Sequence, residues 1–237
     1  MFAFPRLTPL EREKRVERWA QDLLERFGVA LEVRGAPPVS GPILLVANHI
    51  SWLDIVVLHA ARYCRFVSKA NVRHWPLIGT LATGAGTLYV ERESRRDAMR
   101  VVHRMVEALR QGDVLAIFPE GTTSDGSGVL PFHANLLQAA IAAEAPVQPV
   151  TLQFFEGSKA GVVVAYVGED SLIGSIWRTL CAQNLRAVVV FGEPQHAAGR
   201  DRRRWAGEMR ESIVAGFAAG EESATPAPGQ PRYSPGR

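Results

Sequence analysis

A histidine and an aspartate five residues apart are the first candidates for chemistry: His49 and Asp54, in the run Asn48-His49-Ile50-Ser51-Trp52-Leu53-Asp54. The run follows Ile43-Leu44-Leu45-Val46-Ala47, an apolar stretch bounded by Gly41-Pro42 that reads as a buried strand. It precedes Ile55-Val56-Val57-Leu58, which reads as helix. Within a regular helix this spacing would put the two side chains on different faces. With His49 in the strand-to-helix turn, its imidazole can fold back over the first helical turn and meet the Asp54 carboxylate. Such a pair fixes the tautomer, stabilises an imidazolium and leaves the other ring nitrogen to take a proton from a substrate hydroxyl. The plainer alternative is that Ser51 is an N-cap, Asp54 completes a variant capping box, and His49 is a satisfied turn residue.

Two more apolar strands run into unusual polar groups. Gly86-Thr87-Leu88-Tyr89-Val90 closes on Glu91-Arg92, and Val114-Leu115-Ala116-Ile117-Phe118 runs into Pro119-Glu120-Gly121-Thr122-Thr123. Strand ends converge at one edge of an α/β sheet, so these groups and His49 can share a cleft. The planar fork of Arg92 suits a phosphate. Gly121 lets the backbone turn and approach a ligand, and the Thr122 and Thr123 hydroxyls with nearby N–H groups add hydrogen bonds. The plain alternatives are a surface ion network joining Arg92 to Glu91, Glu93 or Asp97, and a simple turn at Pro119-Glu120-Gly121. Three such groups in order, each at a strand end, favour the shared cleft.

The elements that must position them alternate along the chain. Residues 9–28 read as an amphipathic helix with Val16, Trp19, Ala20, Leu23 and Phe27 on one stripe; it either packs on the domain or dips into a bilayer surface. Leu31–Arg34 reads as an edge strand, and Arg65–Lys69 as another strand. A short apolar helix opens at Trp75-Pro76-Leu77-Ile78-Gly79. Ser94 and Asp97 cap a helix with Met99, Val102, Val106 and Leu109 on its apolar face. Then come a helix over Pro131–Ala143, strands over Val147–Gln153, Val162–Val167 and Ala187–Phe191, a helix over Leu172–Cys181 and a last helix from Arg200 to Ala218. The pattern predicts an α/β fold, a mostly parallel or mixed central sheet of about seven strands flanked by helices, in a single domain. An N-terminal helix occupies residues 1–30, the main unit residues 31–219, and a disordered tail rich in Pro, Gly, Ser and Ala residues 220–237.

Composition narrows the partners. The chain has 237 residues, 47% of them apolar, and a net charge of +3; its pI is about 9.1. That suits an anionic lipid surface or a phosphate-bearing substrate and is too mild for nucleic acid. Cys64 and Cys181 lack metal or disulfide spacing and read as core or near-core thiols. His74, His103, His133 and His196 have no carboxylate or cysteine at ligand spacing, so no metal is expected, and His59 either packs or faces solvent. No apolar run of about 18 residues appears, so no transmembrane helix is expected. The start, Met1-Phe2-Ala3-Phe4-Pro5-Arg6, lacks the long apolar core of a signal peptide. A Gly-x-Ser-x-Gly elbow, a Walker loop and a dinucleotide fingerprint are all missing.

The ordered blocks resemble the glycerolipid acyltransferases, the lysophosphatidate acyltransferase family. Asn48–Asp54 is similar to its N-H-x-S-x-x-D block, Gly86–Arg92 to its second block, with Tyr89 where Phe is usual, Phe118–Thr122 to its third, and Val147-Gln148-Pro149-Val150 to its fourth. Ser68–Gly79 resembles the region after the histidine block. The resemblance implies an enzyme in which His49 and Asp54 act as the base on a lyso-lipid hydroxyl. That hydroxyl attacks the acyl thioester of coenzyme A or acyl carrier protein, a co-substrate, with no bound cofactor. It implies that Arg92, Glu120, Gly121 and Thr122 bind the polar head of the acceptor, and that an apolar channel takes the acyl chain. Thr123 stands where many lysophosphatidate-using members have Arg. That leaves lysophosphatidate, another lysophospholipid and lyso-ornithine lipid open as acceptors. A non-catalytic lipid-binding protein is the alternative from another class. An amphiphilic acceptor implies peripheral attachment at the cytoplasmic membrane face, with Trp19, Phe27 and Trp75–Ile78 as contacts to test.

Overall fold

The apolar run Ile43–Ala47 forms strand β2, and all five of its residues are buried. In this computed structural model the described residues are 7–74, 78–90, 95–157, 159–160, 163–168 and 170–221. In chain order the elements are α1 (Pro9–Arg26), β1 (Ala30–Arg34), β2, α2 (Leu53–Ala61), β3 (Arg65–Lys69), α3 (Ile78–Gly84), β4 (Leu88–Val90), α4 (Arg95–Arg110), β5 (Val114–Ile117), α5 (Leu137–Ala143), β6 (Val147–Glu156), β7 (Lys159–Ala160), α6 (Leu172–Cys181), β8 (Leu185–Phe191) and α7 (Arg202–Glu221). The strands lie in the order β1-β8-β6-β2-β5-β3-β4, with the short β7 added to β6. Pairings are parallel except those of β6 with β8 and β7. This is the mixed, helix-flanked sheet that the alternating pattern predicts.

Successive side chains of a strand point to opposite faces. Ile43, Leu45 and Ala47 therefore enter one core, with Ala20 and Leu24 of α1 and Leu53 and Val57 of α2. Leu44 and Val46 enter the other, against Met105 and Leu109 of α4, Leu137 of α5 and Trp205 and Met209 of α7. Helix α1 starts on a capping box between Thr8 and Glu11 with Pro9 behind it. Its Trp19, Leu23 and Phe27 are half-buried against the first core, so the stripe packs on the domain.

Several expectations change. Helix α4 buries Leu109 and packs Val102 and Val106 against the core as expected, but Val101, Met105 and Ala108 are buried beside them and Met99 is 73% exposed. Adjacent apolar stripes look alike in sequence, and contact with α5 and β5 selects the one that faces in. The helix expected from Pro131 begins only after a 3-10 turn at Ala134–Leu136; His133 is extended and its N–H donates to the Pro119 carbonyl at 2.8 Å. The described part of Val162–Val167 is a turn and irregular chain, not a strand. Both edges of β6 are already taken by β2 and β8. The Tyr166 N–H instead donates to the Ile50 carbonyl at 3.1 Å, satisfying the backbone in another way. Cys64 is buried as expected, but Cys181 is exposed. Trp75–Leu77 and Ser94 lie outside the described residues, as do residues 222–237 of the expected tail.

His59 packs: it is 2% exposed, stacked on Tyr63 and edge-on to Phe66. Burial lowers its pKa to about 4. The unfolded chain holds the proton near pH 6.5, so it binds more protons than the native state between about pH 6.5 and 4. Stability contributed by neutral His59 is thus present above that window and lost as pH falls through it. The expected loss is about 2–4 kcal/mol. Urea melts at stepped pH should show the slope in the parent and a flatter one in His59→Phe; equal slopes would remove His59 as the cause.

Candidate active site

Strand β2 is followed by Asn48, whose buried amide replaces the backbone pairing that the turn gives up. Its Nδ2 donates to the Leu152 carbonyl at 3.0 Å and its Oδ1 accepts from the Leu152 N–H at 2.8 Å. His49 is then held from every side. Its N–H donates to Glu120 Oε1 at 2.7 Å. Its carbonyl accepts from the Ser124 N–H at 2.8 Å and from Ser124 Oγ at 3.1 Å. Its ring lies 4.0 Å from the Phe118 ring, nearly parallel at 8°, and its Nδ1 is 2.7 Å from Asp54 Oδ2. Nε2 has no protein hydrogen-bond partner among the described residues, and the side chain is 19% exposed.

Asp54 is fully buried. The oxygen that meets the imidazole also accepts from the N–H groups of Ile50 at 2.6 Å and Ser51 at 2.9 Å. These bonds fix the carboxylate in place beside the ring. The carboxylate in turn favours Nδ1 as the protonated nitrogen, which leaves the Nε2 lone pair free. Helix α2 begins one residue later than a Ser51 cap requires: Trp52 is the cap and makes no side-chain cap bond. Half of the expected box survives, since Asp54 accepts from the Ser51 N–H. Ser51 Oγ accepts from Leu53 N at 3.3 Å. The cap and the pairing with His49 are therefore one arrangement and not competing readings.

Glu120 is brought to the same place because β5 runs parallel beside β2. Its Oε1 holds the His49 N–H and its Oε2 the Leu130 N–H at 2.8 Å. Burial raises its pKa, and the Leu130 and His49 N–H groups oppose that rise. Gly121 turns at φ 74°. A Cβ there would stand 3.1 Å from the His133 ring, so position and space both favour glycine. Thr122 is exposed. Thr123 is half-buried and its hydroxyl donates to the Tyr166 carbonyl, tying the third block to the loop before α6. Arg92 lies outside the described residues. Strand β4, which ends two residues before it, runs parallel to β3 and so toward the same sheet edge. A cavity of about 260 Å³ with a mainly apolar wall abuts the site at Phe118, Pro119 and Gly121, with Val101, His133 and Leu136 behind.

Sequence reasoning missed three supports of His49: the Asn48 clamp, the Ser124 bonds and the Phe118 stack. Adjacency to the motifs was the available signal for all three. Among the described residues no group of three or more His, Cys, Asp or Glu side chains is placed to hold a metal ion. No described helix is long and apolar enough to cross a membrane.

Comparison with known proteins agrees with this geometry. The acyltransferase family model matches residues 30–153, which contain every residue of the site. The chain is 35% identical over 207 residues to the lyso-ornithine lipid O-acyltransferase of Pseudomonas aeruginosa, covering 87% of this chain and 79% of the relative. It is 34% identical over 209 residues to the 1-acyl-sn-glycerol-3-phosphate acyltransferase of Neisseria meningitidis, covering 87% and 82%. The 1-acyl-sn-glycerophosphate acyltransferase PlsC of Thermotoga maritima shares the fold, with a TM-score of 0.66 at 19% identity over 91% of this chain and 86% of that one. With the family match spanning more than half of the chain and His49, Asp54 and Glu120 gathered at one sheet edge inside it, the chain belongs to the acyltransferase family.

Proposed function

We propose that the protein is an O-acyltransferase that moves a fatty acyl chain from an acyl thioester to the hydroxyl of a lyso-lipid, with His49 and Asp54 as general base. The observation that carries this reading is the 2.7 Å pair of His49 Nδ1 and Asp54, with Nε2 unpartnered among the described residues. Nε2 takes the proton of the acceptor hydroxyl, and the oxygen attacks the thioester carbonyl carbon. As the tetrahedral intermediate collapses, the C–S bond breaks and the imidazolium returns its proton to the thiolate. The products are an ester and a free thiol, with no covalent acyl-enzyme. Asp54 holds the tautomer and stabilises the imidazolium.

The acceptor's polar head is placed at Arg92, Gly121 and Thr122, with Glu120 acting through the turn it ties to His49. The apolar cavity behind Phe118 suits the first part of an acyl chain. Coenzyme A or acyl carrier protein carries the thioester. The relatives' names cover both lyso-ornithine lipid and 1-acyl-glycerol-3-phosphate as acceptors. Thr123, occupied with Tyr166, leaves a phosphomonoester without a cation at that position. The enzyme works as a peripheral protein on the cytoplasmic membrane face.

The test is transfer of labelled acyl chains, from acyl-coenzyme A and from acyl carrier protein, to a panel of lyso-lipids in vesicles. The expected outcome is His49-dependent transfer, with lyso-ornithine lipid used at least as well as lysophosphatidate. A strong preference for lysophosphatidate would show that Thr123 does not report acceptor choice. Lipid binding without transfer to any acceptor would establish the non-catalytic alternative.

A further inference from the structure

Helix α6 has two unlike faces. Ser175 and Thr179 point inward and are fully buried, and the Trp52 indole N–H donates to Ser175 Oγ at 3.1 Å. On the opposite side Ile173, Trp177 and Leu180 are 81%, 68% and 46% exposed. At 100° per residue these three, flanked by Ile176 and Cys181, form an uncharged arc of about 140°. The only charged side chain of the helix, Arg178, lies off this arc and is engaged by Asp170 at 2.8 Å. Among the described residues, no other helix or strand leaves three large apolar side chains exposed. Single exposed apolar residues are ordinary, whereas an aligned stripe marks an interaction surface.

The stripe belongs to the edge of the sheet that carries the site. Trp52, on which α6 rests, is three residues past His49. The loop entering α6 is bonded to Ile50 and Thr123 through Tyr166. On its other side Trp52 meets Phe27 edge-on at 5.8 Å, next to the exposed, basic Arg26 at the end of α1.

We infer that the Ile173–Trp177–Leu180 face of α6 is the surface by which the protein lies on an anionic phospholipid bilayer. The inference rests on the proposed function, because a lyso-lipid acceptor keeps its chain in the membrane while its hydroxyl must reach His49 Nε2. A tryptophan within an apolar stripe suits the boundary between head groups and chains. The net charge of +3 and the exposed Arg26 beside Phe27 favour an anionic surface.

The experiment compares the parent with Ile173→Ser/Trp177→Ser/Leu180→Ser by co-sedimentation with vesicles of phosphatidylcholine and phosphatidylglycerol. Equal thermal melts check folding, and Ile173→Arg, a change at the most exposed of the three, is the second variant. Partition of the triple variant should fall at least about tenfold, and transfer in vesicles should fall with it. Transfer to a lyso-lipid presented in detergent micelles should stay within about twofold. His49→Ala should lose transfer and keep the parent's partition, which separates this surface from the chemistry. α6-dependent partition by a parent that transfers nothing would uphold the surface and overturn the enzymatic reading. Unchanged partition in both variants would overturn the surface. So would a parent dimer that the triple variant converts to monomer without loss of vesicle binding.

Discussion

His49→Ala is expected to lower kcat/KM for acyl transfer by about 10³-fold while leaving the fold nearly intact. The activity loss follows from the ring: Nε2, unpartnered among the described residues, is the proposed base, with Asp54 on the other nitrogen. The small stability effect follows from the backbone. The bonds from His49 N–H to Glu120 and from its carbonyl to Ser124 do not use the imidazole, so alanine keeps them. What is lost is the stacking of the ring on Phe118, worth about 0.5–1.5 kcal/mol, and the Nδ1 bond to an Asp54 oxygen that keeps the Ile50 and Ser51 N–H groups, worth about 0.5–1.5 kcal/mol. Steady-state rates and a thermal melt on the same preparation check both parts. A variant with parental activity would remove His49 as the base, and one that unfolds would make the turn, not the chemistry, the role of the ring.

Asp54→Asn is expected to lower kcat/KM by about 10²–10⁴-fold, as for other histidines deprived of the carboxylate that sets their tautomer. It should also lower stability. A single carboxylate oxygen accepts from the Ile50 N–H, the Ser51 N–H and His49 Nδ1. An amide oxygen can keep the two backbone bonds only with weaker, uncharged acceptance, and its NH2 group is buried where the unpartnered Oδ1 stood. The cost is about 1–3 kcal/mol. The two variants thus differ in how the turn is affected: His49→Ala keeps the Ile50 and Ser51 bonds to Asp54, whereas Asp54→Asn weakens all three bonds to that oxygen and should lose more melting temperature. A melting temperature in Asp54→Asn equal to the parent's would show that Asp54 serves the imidazole and is not a cap.

The strands and their burial were legible because covered parallel strands are continuous apolar runs: Ile43–Ala47 and Val114–Ile117 can belong only inside a sheet. Helix α6 was read at both of its ends, Leu172 and Cys181. The apolar face of α4 was read in part: Leu109 is buried and Val102 and Val106 pack against the core, but Val101 and Met105 are its deeper residues and Met99 is exposed, because the stripes overlap and packing against α5 and β5 chooses between them. Val162–Val167 looked like a strand from composition, but its described part is irregular chain whose Tyr166 N–H is bonded to Ile50 instead.

The site divides in the same way. His49 and Asp54 were identifiable from sequence because a strand-to-helix turn brings residues five apart within reach of each other, and that is local geometry. Glu120 was recognisable as a polar group at a strand end, but its two backbone partners, His49 and Leu130, are contacts that only the parallel pairing of β2 and β5 creates. The Asn48 clamp on Leu152, across 104 residues, and the rest of Trp52 on Ser175, across 123, are of the same kind. By itself the sequence determined the alternation of elements, the His49/Asp54 pair and the edge where polar groups gather, since periodicity and short spacing are properties of the chain. Which face of each helix is buried, which oxygen meets which amide, and which apolar stripe stays exposed beside the site were decided by the tertiary structure, because those depend on neighbours that the chain brings together only when it folds.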